Sequence, residues 1–147
     1  MIPQNISPSN DKLREILQSV RTIALVGLSA NPLRPSNGVF GFLLRHGYRA
    51  VGVNPGLAGQ MIHGAPIYGR LADVPFPIDM VDIFRNSEAA ADVVDKALSL
   101  SPLPKVIWMQ LDVINEAAAA KARARGLDVV MDHCPAIEIG RLAIPQV

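Results

Sequence analysis

Apolar positions along the chain fall into two alternating patterns. Leu13, Ile16, Leu17 and Val20 recur at helical spacing behind Ser9 and Asn10, either of which can cap exposed first-turn amides, so a helix is predicted from Asn10 through Val20. Thr22 to Leu28 is then an almost unbroken apolar run containing Ile23, Leu25 and Val26. A short continuous run of this kind suits a strand covered on both faces, as in a parallel sheet. Beyond a loop with two prolines, Ser29 to Ser36, a second helix is expected from about Asn37 to His46. Its inward side is Val39, Phe40, Leu43 and Leu44, and Gly47 sits where a left-handed stop is wanted.

The pattern repeats downstream. Arg49 to Asn54 reads as a strand ended by Asn54-Pro55, since proline restricts the residue before it and cannot donate to a ladder. Gly56 to Gly64 reads as a loop, and Pro66 to Tyr68 as a very short strand before Leu71 to Val74. Met80 to Phe84 is another apolar strand, followed by a helix that Ser87 caps and that holds Ala90, Val93, Val94, Ala97 and Leu98. Lys105 to Gln110 is a strand, Asn115 to Arg125 an alanine-rich helix stopped by Gly126, and Asp128 to Asp132 the last strand before a short helix opened by Pro135. Strands alternating with helices imply parallel pairing through right-handed crossovers. The expected fold is therefore α/β, a Rossmann-like three-layer domain with a mostly parallel sheet of five or six strands. Residues 1–21 are expected to form an N-terminal helical extension and residues 22–147 the domain itself.

Charge narrows the chemistry. With 14 Lys and Arg against 13 Asp and Glu and no basic run, the chain lacks the diffuse phosphate attraction of a nucleic-acid binder, so any anion site must be local. A single cysteine excludes an internal disulfide and a CxxC pair, and points to a reducing cytoplasm. The longest uncharged stretch, Ala50 to Gly69, is broken by Asn54, Pro55, Gln60, His63, Pro66 and several glycines, which defeats a membrane helix. No basic-then-apolar leader opens the sequence.

In open parallel sheets, ligands lie beyond the carboxyl ends of the strands, near the point where strand order reverses. That rule selects Gly27 to Ser36, Asn54-Pro55, Phe84-Arg85, Gln110-Leu111 and His133-Cys134. Gly27 lacks a side chain where backbone would approach a ligand; Ser29 and Ser36 bring hydroxyls, Arg34 a positive fork, and the following helix a positive dipole end. Together they make a candidate anion site, against the plainer reading of a turn shaped by glycine and proline. From Gly27 the chain runs Gly-Leu-Ser-Ala-Asn-Pro, which is neither the three-glycine dinucleotide fingerprint nor a Walker loop. The second strand ends at uncharged Asn54 where an NAD site usually has a carboxylate, so NAD is disfavoured and NADP less so.

At these residues the chain resembles the small stand-alone CoA-binding proteins, related in fold to the CoA-binding domain of the succinyl-CoA synthetase alpha subunit. The resemblance rests on Ile23 to Ser29, Asn31-Pro32, Arg34 to Ser36, Gly47-Tyr48, Val53 to Pro55, Asp79 to Arg85, Val106 to Gln110 and Cys134 to Glu138, in that order. It implies a Rossmann-like domain that binds coenzyme A or an acyl-CoA. Carried over by position, Gly27, Ser29, Arg34 and Ser36 would hold the phosphates, Asn54 and Pro55 would border the nucleotide, Phe84 and Arg85 would pack near the adenosine, and Gln110 would lie toward the pantetheine path. The chain departs from the expected pattern at His133 and Ile139-Gly140.

Other candidates have plainer alternatives. Cys134 reads as a buried small hydrophobe, with a mixed disulfide to the CoA thiol as the functional alternative. His133 reads as a strand-end histidine with one hydrogen bond rather than a phosphohistidine, which would need a nucleotide-activating partner. Asp79 opens a strand, and Asp82 is expected to face solvent or pair with Arg85 rather than to act as an acid or base. Trp108, Phe40 and Phe42 read as packing residues, His46 as a cation suited to a helix end and His63 as a loop residue; no metal-ligand spacing occurs. The reading is a CoA-binding domain without self-contained catalysis, acting alone, as a homo-oligomer or beside an enzyme. Two rivals are an accessory subunit of a CoA ligase with an ATP-grasp partner, and an NADP-dependent reductase.

Overall fold

The computed structural model describes residues 7–147. Its elements run α1 (Asn10–Ser19), β1 (Thr22–Val26), α2 (Pro35–Arg45), β2 (Arg49–Val53), β3 (Met61–Ile62), β4 (Ala65–Tyr68), β5 (Met80–Ile83), α3 (Ser87–Leu98), β6 (Val106–Met109), α4 (Glu116–Ala124), β7 (Asp128–Val130) and α5 (Pro135–Arg141). They build one sheet in the order β3-β4-β2-β1-β5-β6-β7, parallel throughout except for the β3–β4 hairpin. The domain is Rossmann-like and three-layered, with seven strands rather than five or six. The additional strand is the two-residue β3, inside the segment that glycine content marks as loop. It forms because His63 and Gly64 take left-handed backbone (φ 51° and 79°), which turns the chain back on itself.

Alternation along each strand sends side chains to two apolar layers. Ile23, Leu25, Met80 and Trp108 pack with α1, α2 and α5 through Leu13, Leu17, Phe40, Leu43 and Ile139. Ala24, Val81, Ile83, Ile107 and Met109 pack with α3 and α4 through Val93, Val94, Ala97, Ala119 and Ala122. Each large aliphatic side chain removed from water in this way contributes about 1.5–3 kcal/mol. α1 thus belongs to the first of these layers; the first six residues of the expected 1–21 extension lie outside the described residues.

Two helix starts differ from expectation. α2 begins at Pro35, two residues early, because proline at the first helical position loses no intrahelical bond. α3 is capped by Asn86, whose side chain accepts from Ala89 N at 2.7 Å. Ser87 instead reaches sideways, accepting from Ile114 N and donating to Asp112 O, and so ties α3 to the loop after β6. No described helix is long and apolar enough to cross a membrane.

Candidate functional site: a two-chambered cleft at the switch point

β1 pairs with β2 on one side and β5 on the other, so strand order reverses across β1 and the crevice opens beyond its carboxyl end. Gly27 forms the floor there. Its N–H donates to Val53 O at 3.0 Å, its φ is +93°, and a Cβ built on it would stand 2.4 Å from the carbonyl oxygen of Phe84. Any side chain would collide with the neighbouring strand end, so the position requires glycine on conformational and steric grounds.

The loop from Leu28 to Arg34 is held by its own polar groups. Ser29 N donates to Ser36 Oγ (3.0 Å), Asn31 N to Ser29 Oγ (3.1 Å), Leu33 N to Asn31 Oδ1 (2.9 Å), and Asn37 Nδ2 to Ser29 O (3.0 Å). Both serine hydroxyls therefore accept from the loop and keep a proton to donate outward. Asn54 clasps two segments at once, donating from Nδ2 to Leu28 O (2.8 Å) and accepting at Oδ1 from Gly56 N (2.8 Å). Its role is to hold the wall, with little left for a ligand.

α2 enters this loop without a side-chain cap and without an acid in its first turn. Asn37 and Gly38 N–H close on Arg34 O, Pro35 has no N–H, and Ser36 N–H has no partner among the described residues. Arg34 stands exposed beside it and makes no ion pair among the described residues. A helix start with a bare amide, two hydroxyl protons and an unpaired guanidinium attracts a phosphate or a similar anion.

This cradle, about 470 Å³, adjoins a second chamber of about 480 Å³ at the shared residues Gly27, Asn54 and Phe84. Both fall within the ordinary size of ligand clefts. The second chamber, an annex to the cradle, has an apolar wall of Val26, Val53, Leu71 and Val93, and Pro55 and Arg85 also line it. Arg70 and Lys96 also border it, each paired with an acid on its own turn, Asp73 at 2.8 Å and Asp92 at 2.9 Å, whereas exposed Arg85 has no such partner among the described residues. Eight of the nine predicted positions thus line one cleft: Gly27, Ser29, Arg34, Ser36, Asn54 and Phe84 in the cradle, Pro55 and Arg85 in the annex. The annex wall went unread, because its valines and leucine have the signature of core residues.

A family model described as a CoA binding domain matches residues 21–140. The chain belongs to the CoA-binding domain family. It is similar to the uncharacterized protein YneT of Bacillus subtilis (34% identity, 87% of this chain and 92% of that one). Several solved structures share its fold, and two serve for comparison. One is a hypothetical protein from Pyrococcus horikoshii OT3, with 34% identity, TM-score 0.85, and 92% of this chain and 93% of that one covered. The other is from Thermus thermophilus, with 31% identity, TM-score 0.86, and 92% and 99% covered.

In this CoA-binding domain Gln110 stands apart from the cleft wall. It follows β6, is 6% exposed, and its Oε1 is buried without a partner. Asp82 corrects the sequence reading more sharply: it is fully buried, and neither carboxyl oxygen has a hydrogen-bond partner among the described residues, Arg85 included. It shares a sheet face with Trp108 beside it, and burial alone pushes its carboxyl well above the usual carboxylate range, which favours the neutral form. Asp79 lies at the other end of β5, where Oδ2 accepts from Arg21 N (2.9 Å) and Thr22 N (3.1 Å). Cys134 is buried at the start of α5, and His133 makes one side-chain bond, from Nδ1 to Met131 O at 2.7 Å. Trp108 and Phe40 are fully buried packing residues, Phe42 packs against the same layer, and His46 ends α2 with Nε2 on Ile144 O. No group of three or more potential metal ligands occurs among the described residues.

Proposed function

We propose that the cleft binds coenzyme A or an acyl-CoA, with the pyrophosphate in the cradle and the adenosine in the annex. The observation that carries this reading is the uncapped start of α2, with free Arg34 beside it, adjoining an apolar chamber at Gly27. Gly27, Ser29, Arg34 and Ser36 meet the phosphates. Pro55 and Phe84 flank the purine, and Arg85 stands in the annex for the 3′-phosphate, where a guanidinium serves both stacking and charge. Asn54 shapes the wall, and Gln110 marks the edge along which the pantetheine arm would leave. The setting proposed is the cytoplasm.

A thermal-shift panel of CoA, acetyl-CoA, NADP, NAD and ATP tests the assignment. A bound ligand at one hundred times its Kd should add about 2.7 kcal/mol of stability. CoA and acetyl-CoA are expected to stabilise most, and a preference for a nicotinamide cofactor overturns the reading in favour of a reductase. Arg34→Ala should weaken CoA and dephospho-CoA alike, by about tenfold to a hundredfold, as expected for hydrogen bonds to a charged group. Arg85→Ala should cost CoA more than dephospho-CoA. Isothermal titration of both ligands reads the two effects, and the opposite pattern would exchange the roles of the two arginines. Co-purification of an ATP-grasp chain would instead favour a ligase subunit.

A further inference from the structure

His63, a loop residue by sequence, sits at the tip of the β3–β4 hairpin and reaches across to α2. Its Nε2 lies 2.8 Å from Asn37 Oδ1, and its ring stands 6.4 Å from that of Phe40. Asn37, Gly41 and Arg45 follow one another up one face of α2 at four-residue spacing. Gly41 makes the seat: a Cβ there would come within 3.2 Å of His63 Nε2 and 3.0 Å of Arg45 Nη1. Asn37 is 4% exposed, and its amide is used at both ends. Because Nδ2 donates to Ser29 O, Oδ1 is the end that faces the imidazole, so Nε2 carries the proton. A chain of bonds therefore runs from His63 through Asn37 to Ser29 O, and Ser29 N in turn donates to Ser36 Oγ.

The segment leading into the hairpin lies in the cleft: Asn54, Gly56 and Leu57, which precede β3, form one wall of the cradle, and α2, on which His63 lands, forms the other. We infer that His63 is a positioning residue for the anion cradle: by donating to Asn37 it fixes the orientation of that amide, and through it the Ser29 peptide that frames the phosphate position. The inference deepens the CoA reading and rests on it. His63 touches no ligand in this scheme; it keeps the two walls at one separation.

The test uses the full-length protein with His63→Ala and His63→Gln, CoA titrated by calorimetry, and amide exchange of Ser29 with the Asn37 side-chain resonances read by NMR in the absence of ligand. Loss of one hydrogen bond predicts CoA affinity about 3- to 10-fold weaker in His63→Ala, with faster Ser29 exchange and a freed Asn37 amide. Glutamine carries an N–H₂ donor and should restore most of both. A merely packing role would leave His63→Gln as weak as His63→Ala, and that outcome overturns the inference, as does wild-type affinity in His63→Ala. If the wild-type protein itself fails to bind CoA, the functional reading falls. The ligand-free exchange data then decide on their own: unchanged Ser29 and Asn37 signals in His63→Ala reject the positioning role, and altered ones rescued by glutamine uphold it.

Discussion

The two crossover helices behind the sheet, α3 and α4, and two of the three helices in front, α2 and α5, begin in opposite ways. Asn86 and Asn115 close the starts of α3 and α4, accepting from Ala89 N and Ala118 N at 2.7 and 2.9 Å. α2 and α5 start at Arg34 and Cys134 with no side-chain cap. The layers differ in the same sense. The buried polar residues Ser36, Asn37, Asp82, Gln110 and Glu138 all belong to the α2/α5 side, by strand parity or by helix, whereas the α3/α4 cluster is wholly apolar among the described residues. The α3/α4 side closes its helix starts and gives the cleft only the apolar wall of the annex. The other side leaves the start of α2 and Arg34 open at the cradle.

That contrast can be tested from its largest effect downward. Ile107 is fully buried in the apolar layer, so Ile107→Ala should cost about 2–5 kcal/mol through lost transfer energy and the cavity left behind. Urea unfolding measures it, and a cost below about 1 kcal/mol would mean that this layer is not the scaffold. Asp82→Asn works in the other layer and in the other direction. The unfolded chain releases the Asp82 proton near pH 4, while the fold retains it to much higher pH. The folded state thus binds the extra proton, and wild-type stability falls relative to an uncharged amide as pH rises past about 4. Asp82→Asn should therefore gain on wild type as pH rises from 4 to 7, by roughly 1 kcal/mol for each pH unit over which the fold keeps the proton. An equal gap at both values would show that the carboxyl is not held neutral.

Helix starts give the smaller effects. Asn86→Ala should cost about 1 kcal/mol of stability and leave CoA affinity unchanged. Arg34→Ala should leave stability within about 0.5 kcal/mol and lower CoA affinity. Should the two variants exchange their signatures, the distinction between closed and open helix starts would collapse.

Much of this was readable from the chain. β1, β5 and β6 announce themselves as continuous apolar runs because a central parallel strand has no wet face, and the cradle follows from Gly27, Ser29, Arg34 and Ser36 lying after the first of them. The same principle, applied to Met80 to Phe84, already argues against a solvent-facing Asp82: alternation cannot put a residue in water when both faces are covered. What stayed hidden depends on long-range pairing. β3 is two residues long, below any periodicity, and the His63–Asn37 bond joins positions 26 apart. Asn54 showed its place, yet which atoms its amide would engage depended on Leu28 O and Gly56 N arriving together.

The bare Cα at position 27 has one more effect. Because the strand ends meet there with no room for even a methyl, the two compartments adjoin along a strip of naked peptide. A molecule must arch across that saddle to occupy both, so reach is screened before functional groups are. Short nucleotides would fill one basin and gain nothing from the other.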